Sequence, residues 1–222
     1  MVLLIQNSYM YKKYIKRLID IFFSVIMLIG LFPFLLIIAI LIMIDMGSPV
    51  FFTQERVGKD LTLFKIFKFR SMKDKGEGDN SDAARVTKLG RILRKFSLDE
   101  FPQLINILKG EMSFIGPRPL LKRYIPYYNK REIRRQEVLP GMASLADIKG
   151  RSHLTWEEQF EYDVKYVDNL TLRQDTYIFL QTVFIVLGAK DNMAVGRFNT
   201  DSFDVHRKKQ NILKKNNRKD EQ

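Results

Sequence analysis

The sequence predicts an α+β protein, mostly helical and monotopic in a membrane, with a re-entrant N-terminal helix, a short β-hairpin and interfacial amphipathic helices. Three observations predict it. Residues 21–44, IFFSVIMLIGLFPFLLIIAILIMI, hold no charged side chain. Basic residues flank that run on both sides. Beyond it lie one turn-split pair of β-rich stretches and several segments with apolar residues at helical spacing.

At ~1.5 Å per residue the apolar run is long enough for a hydrocarbon core of about 30 Å. It is too long for the apolar region of a cleavable signal, and no small-x-small cleavage site follows it. A spanning helix concentrates its Lys and Arg on one side. Here Lys12, Lys13, Lys16 and Arg17 precede the run, and Arg56, Lys59, Lys65, Lys68 and Arg70 follow it. Pro33 removes a backbone donor and crowds the carbonyl of Ile29, so a bend is expected there, eased by Gly30. A helix that enters one leaflet, bends at Pro33 and returns places both basic flanks on one face, each arm reaching about 16–18 Å. An ordinary kinked spanning helix is the alternative, because neighbours or water can satisfy the freed carbonyl. Residues 9–18, aromatic and basic, suit the interface.

Gly47-Ser48-Pro49 is a turn signal, after which VFFTQERV and LTLFKIFKFRSM flank Gly58-Lys59-Asp60 and read as a hairpin. Residues 73–85 lack apolar periodicity and are expected to form a mobile loop that closes over a ligand. Residues 86–96 form an amphipathic helix with Val86, Leu89, Ile92, Leu93 and Phe96 on its apolar face. The next helix starts near Pro102 and ends at Gly110. The basic, aromatic stretch 121–138, interrupted by Pro126 and Tyr127-Tyr128, suits anionic lipid headgroups or nucleic acid. Residues 156–168 and 171–190 read as helices, and 206–222, with seven basic and two acidic residues, as a disordered tail.

A formal charge of +12 favours an anionic partner: nucleic acid, acidic lipid or a phosphorylated substrate. With no cysteine, disulfide frameworks, thiolate zinc sites and cysteine nucleophiles are excluded. Any Ser-His-Asp arrangement would need His153 or His206, the two histidines of the chain. GxSxG, GxxxxGK[ST], HExxH and a complete GxGxxG are absent.

The chemistry concentrates in RKFSLDEFPQL (94–104) and KGEMSFIGPRPL (109–120). Asp99 and Glu100 are adjacent carboxylates beside a helix start, where backbone N–H groups favour negative charge and also hold phosphate. Ser97-x-x-Glu100 equally fits a capping box that merely satisfies orphan donors. A start at Pro102 would instead leave the pair in the approach loop. Arg118, between Pro117 and Pro119, is either part of a rigid turn or an arginine held ready for phosphate oxygens. Arg94, Lys68 and Arg70 are further candidate phosphate ligands or ordinary solvated cations.

The apolar segment broken at Pro33, FFTQERVG (51–58), KFRSM (68–72), RKFSLDEFPQL, GEMSFIGPRP (110–119) and LPGMASLADIKGR (139–151) occur in one order across residues 12–190. Together they resemble the bacterial sugar transferases called monotopic phosphoglycosyl transferases, in their minimal short form. The resemblance implies transfer of a sugar-1-phosphate from a UDP-sugar to polyprenol (undecaprenyl) phosphate at the cytoplasmic face of the inner membrane. Asp99 would attack the sugar-proximal phosphorus, UMP would leave, and polyprenol phosphate would resolve the covalent phosphosugar intermediate. It further implies Mg²⁺ held by Glu100 and Asp99, with Arg94 and Arg118 on positions that bind phosphate or support the catalytic pair. An anionic bilayer and downstream glycosyltransferases are implied partners, and nucleic acid is not. The organisation would be a membrane helix in 1–48, a cytoplasmic catalytic domain in 49–205 and the basic tail 206–222. Where the family often places serine before the proline of the helix break, this chain has Phe32, which offers no hydroxyl to favour the bend. The competing readings are a membrane-anchored nucleic-acid-binding protein, carried by KREIRR (130–135), and a membrane scaffold in which Ser97 and Glu100 only cap a helix.

Overall fold

The computed structural model describes residues 9–74, 81–150, 153–188 and 201–220, with side chains for all of these except 82–83 and 214–220. A turn of π-helix, Tyr11–Ile15, leads into α1, Lys16–Met46, which continues through Pro33. Helix α1 is long and apolar enough to cross a membrane, and only 11% of its most apolar stretch is covered by protein. The part that is covered forms one stripe. Asp20, Ser24, Ile38 and Ile42 are buried, Met27 and Leu28 pack on one core cluster, and Leu35, Ala39 and Met46 pack on another. Both halves of the helix therefore rest on the same domain.

The hairpin forms as expected: β1, Phe51–Val57, pairs antiparallel with β2, Leu63–Phe69, in the register Gln54 opposite Ile66. Asp60 and Leu61, both at positive φ, take the turn. Of the loop expected over 73–85, residues 75–80 lie outside the described residues. Its ends are closed by a Met72–Val86 bridge and by Lys73 N–H donating to the Arg85 carbonyl at 2.9 Å, with a short helix α2, Asp82–Arg85, between them.

The amphipathic segment becomes α3, Lys88–Lys95, capped by the Thr87 side chain, which accepts from Gly90 N–H. Helix α4, Gln103–Lys109, follows Pro102 and stops at Gly110, whose φ of 83° requires glycine. Strand β3, Ser113–Ile115, pairs parallel with β4, Gly141–Ala143. Between them the basic, aromatic stretch folds into two 3₁₀ segments, Lys122–Tyr127 and Glu132–Glu137. Then come α5, Leu145–Lys149, α6, Trp156–Asp168, and α7, Leu172–Leu187, each with a Ser or Thr side-chain N-cap.

Of the tail 206–222 expected to be disordered, residues 206–220 instead belong to a helix, α8, Phe203–Asp220, and 221–222 lie outside the described residues. Composition misled because one residue outweighs it: Phe203 is fully buried among Tyr124, Tyr128, Trp156 and Phe160. Arg207 pairs with Glu132 at 2.5 Å and His206 meets Glu157 at 3.0 Å, which tie the next helical turn down.

Candidate active site

Three chain segments converge on one carboxylate pair. The first is the turn between α3 and α4. Ser97 adopts φ 53°, a left-handed conformation unusual for a residue with a side chain, and its side chain caps nothing. The capping-box reading fails here, and the scaffold reading loses the feature it was built on. Leu98–Glu100 is a separate 3₁₀ turn, and Glu100 faces cations.

Strand β2 supplies Lys68, whose Nζ donates to Glu100 Oε1 at 2.6 Å. Its place along the strand is fixed by the fully buried Asn106 of α4, which accepts from Phe67 N–H at 3.0 Å and donates to the Lys65 carbonyl at 2.7 Å. The loop after β3 supplies Arg118, whose Nη2 donates to the same oxygen at 2.7 Å. That loop is pinned by its backbone. Gly116 N–H donates to the Ala143 carbonyl and Gly141 N–H to the Pro117 carbonyl, both at 3.0 Å. A Cβ on Gly141 would come within 2.1 Å of Gly116 N, so only glycine permits this crossing. Arg135 donates to the Arg118 carbonyl at 2.6 Å while its Nε binds Asp163 at 2.9 Å, both side chains being buried. With Pro117 and Pro119 on either side of it, Arg118 meets Glu100 from this pinned loop.

The two carboxylates are driven apart. Burial alone would push Glu100 up, but the Arg118 and Lys68 charges and their hydrogen bonds draw it down to about 2. Burial, followed by the Glu100 charge, pushes Asp99 up to about 6 against the pull of Lys68, Arg94 and Arg118. Among the described residues none donates a hydrogen bond to the Asp99 carboxylate. One acid is locked into an ion triad and its neighbour is left available.

The other expected ligands are placed differently. Arg94 Nε donates to Ser71 Oγ at 2.9 Å and contributes its charge to Asp99. It reaches there because α3 lies directly on the end of β2: a Cβ on Gly90 would meet the Ser71 carbonyl oxygen at 2.0 Å. Arg70 lines the same cavity but donates to the carbonyls of Met46, Gly47 and Ser48, closing the C-terminal end of α1, and to Asp74 at 3.4 Å. Pro33 lies within α1 and takes no part in lining the cavity.

The pair opens on a cavity of about 770 Å³, lined at its polar end by Lys68, Arg70, Arg94, Asp99, Glu100 and Arg118. A smaller one of about 270 Å³, with Arg56 and Gln103 in its wall, also has Lys68, Glu100 and Arg118 in its lining. Sequence reasoning missed Arg56, Gln103, Arg135 and Asp147. Asp147 lines the larger cavity and forms a capping box with Ser144. That Ser-x-x-Asp spacing was its visible signal, whereas Arg135 sits in a run of cations that reads as surface.

Mg²⁺ favours one or two carboxylates together with substrate phosphates and water. Asp99, with no donor spent on it, and Glu100 Oε2, left over by a triad that uses only Oε1, suit that role. No all-protein cluster of three or more acidic or histidine ligands occurs among the described residues.

Two of the four cations of KREIRR are engaged within the protein. Arg135 is buried on Asp163, and Arg134 pairs with Glu137 and with Asp168 at 2.7 Å.

A family model described as bacterial sugar transferase matches residues 11–189. The chain is 43% identical over 176 residues to the uncharacterized sugar transferase EpsL of Bacillus subtilis, covering 78% of this chain and 87% of that one. It is 34% identical over 188 residues to the exopolysaccharide production protein ExoY of Rhizobium meliloti, covering 76% and 83%. It is also 36% identical over 189 residues to the UDP-glucose:undecaprenyl-phosphate glucose-1-phosphate transferase of Xanthomonas campestris, covering 79% of this chain and 39% of that longer one. With its motifs in order, its triad assembled around Glu100 and its matched region spanning most of the sequence, the chain belongs to the bacterial sugar transferase family.

Proposed function

We propose that this chain moves a sugar-1-phosphate from a UDP-sugar to polyprenol phosphate through a phosphosugar ester on Asp99, at the cytoplasmic face of the bacterial inner membrane. The observation that carries the proposal is the division of labour within the pair: Glu100 is held by Lys68 and Arg118, while Asp99 lines the cavity with no hydrogen-bond donor among the described residues. The names of the Xanthomonas and Aeromonas hydrophila relatives, both undecaprenyl-phosphate sugar-phosphate transferases, support the donor and acceptor classes.

An Asp99 oxygen attacks the sugar-proximal phosphorus, the bond from that phosphorus to the bridging oxygen breaks, and UMP leaves with the electron pair. A phosphate oxygen of polyprenol phosphate then attacks the same phosphorus, and the Asp99–phosphorus bond breaks to restore the carboxylate. Such transfers depend on positioning and charge neutralisation rather than proton shuttling. Arg118, Lys68 and Arg94 supply fixed positive charge around the reacting phosphate, and Glu100 holds the first two in place. Mg²⁺ held by Asp99 and Glu100 Oε2 would neutralise diphosphate charge and favour departure of UMP. Because one carboxylate serves both half-reactions, the two substrates take turns at it.

A re-entrant α1 is supported by its two ends. Arg17, near the start, donates to the Ile107 carbonyl at 2.5 Å and to the Leu108 carbonyl at 2.8 Å, and Arg70 holds the carbonyls at the other end. A spanning helix would put one of those ends across the bilayer from the domain that grips both. The polyprenol diphosphosugar so formed is a membrane-bound primer for downstream glycosyltransferases.

The test is incubation with radiolabelled UDP-sugars, polyprenol phosphate and Mg²⁺, following UMP release and label entering lipid. Turnover by wild type and none by Asp99→Asn is expected; equal turnover by both removes the nucleophile assignment.

A further inference from the structure

The large cavity has two kinds of lining. Besides its charged groups it has a mostly apolar wall: Phe179, Val183, Val186 and Leu187 of α7, with Thr182 among them, together with Met27 of α1 and Phe114. From 179 to 187 the α7 wall extends about 12 Å. Neither nucleotide nor sugar offers a matching surface, and laying their polar groups there would leave them without partners. A ligand with an anionic head and a long apolar tail matches both ends at once.

We infer that the face of α7 formed by Phe179, Val183 and Val186, together with Met27, is the subsite for the first isoprene units of the lipid acceptor, whose phosphate lies among Lys68, Arg94 and Arg118. The inference rests on the proposed reaction and adds where the acceptor lies. Two further observations support a position of this wall next to lipid. Helix α7 is fixed to the start of α1 through Asp175, which accepts from Tyr11 at 2.5 Å and from Lys16 at 2.6 Å, while Ile178 and Ile19 share a core cluster. Its surface away from the cavity stays apolar and open, Leu180 being 49% and Phe184 70% exposed, as does most of α1. Met27, these α7 side chains and Asp99 all line the one cavity, which thus joins the apolar wall to the carboxylate. The tail enters from the bilayer while the nucleotide arrives from water.

The test separates the half-reactions, using the full chain in nanodiscs. On mixing with donor and Mg²⁺ alone, wild type, Val183→Asn and Val186→Asn are expected to release one equivalent of UMP at rates within about twofold of each other, a burst that also reports correct folding. On adding undecaprenyl phosphate, the variants should need roughly tenfold or more acceptor for half-maximal transfer, since burying a Val contributes about 1.5–3 kcal/mol. In parallel, a photoreactive prenyl phosphate should label α7 of the wild-type protein, competed by undecaprenyl phosphate. Variants that slow the burst but keep normal acceptor dependence, or labelling that spares α7, would overturn the inference. A wild-type protein that releases no UMP from donor alone, yet labels on α7, would instead sink the Asp99 ester and leave the subsite standing.

Discussion

Asp99→Asn should abolish turnover and yet make the protein more stable at neutral pH. In the folded chain burial and the Glu100 charge push the Asp99 carboxyl from its ordinary 3.8 up to about 6. Below pH ~4 folded and unfolded chains both carry the proton, so the group contributes nothing. Between the two values the unfolded chain has released a proton that the folded one retains, and wild-type stability falls as pH rises. Above about 6 the folded carboxylate is ionised against its surroundings. Ionising it there rather than at 3.8 costs about 3 kcal/mol, since a tenfold change in proton affinity is worth about 1.4 kcal/mol. Because Asp99 lines an open cavity that water reaches, solvent screening reduces this to about 1–2 kcal/mol. The amide is free of that cost. For a chain of 222 residues each kcal/mol corresponds to about 2–4 °C, so the variant should melt about 2–8 °C higher at pH 7.5, the gap shrinking toward zero by pH 4. Thermal unfolding followed by fluorescence of Trp156, in nanodiscs with EDTA, measures it. A variant that melts at or below wild type at pH 7.5, or a gap that persists on acidification, would refute the claim that this carboxylate is held at a cost.

Arg135→Met should lower stability by about 3–5 kcal/mol, because it strands the buried Asp163 carboxylate. Adding Asp163→Leu should restore most of that stability but little of the turnover, since the Arg118 carbonyl still lacks its donor; denaturant melts and kcat separate the two effects. Gly90→Ala should cost about 1–3 kcal/mol and reduce turnover, as its Cβ displaces α3 from Ser71 and carries Arg94 with it. Chelation with EDTA should stop UMP release, and added Mg²⁺ should restore it. The Mg²⁺ concentration for half-maximal rate should rise as pH falls through about 6, where a proton competes for Asp99; a flat dependence contradicts Asp99 as a ligand.

Local signals were legible where the chain's own chemistry decides the structure. Gly58-Lys59-Asp60 marked the hairpin turn, and Pro102 and Gly110 bracketed α4 to within a residue. The carboxylate pair was legible through motif order, and Lys68, Arg94 and Arg118 do gather around it. What stayed hidden depends on partners far along the chain. Ser97-x-x-Glu100 has the spacing of a cap, but the backbone at Ser97 turns left-handed and Lys68, 32 residues away, claims the glutamate. Arg70 reads as a phosphate ligand until the end of α1 packs against β2 and presents its bare carbonyls. Arg135 looks like surface charge, although Asp163 and the Arg118 carbonyl draw it inward. In the tail, seven cations suggested disorder, and the single aromatic Phe203 anchors a helix.

The decisive measurement is peptide mass spectrometry of wild-type protein exposed to its UDP-sugar without acceptor and quenched in acid. A phosphosugar mass added to Asp99 and discharged on chase with polyprenol phosphate is expected. An adduct on any other residue, or UMP release that survives Asp99→Asn, would contradict it.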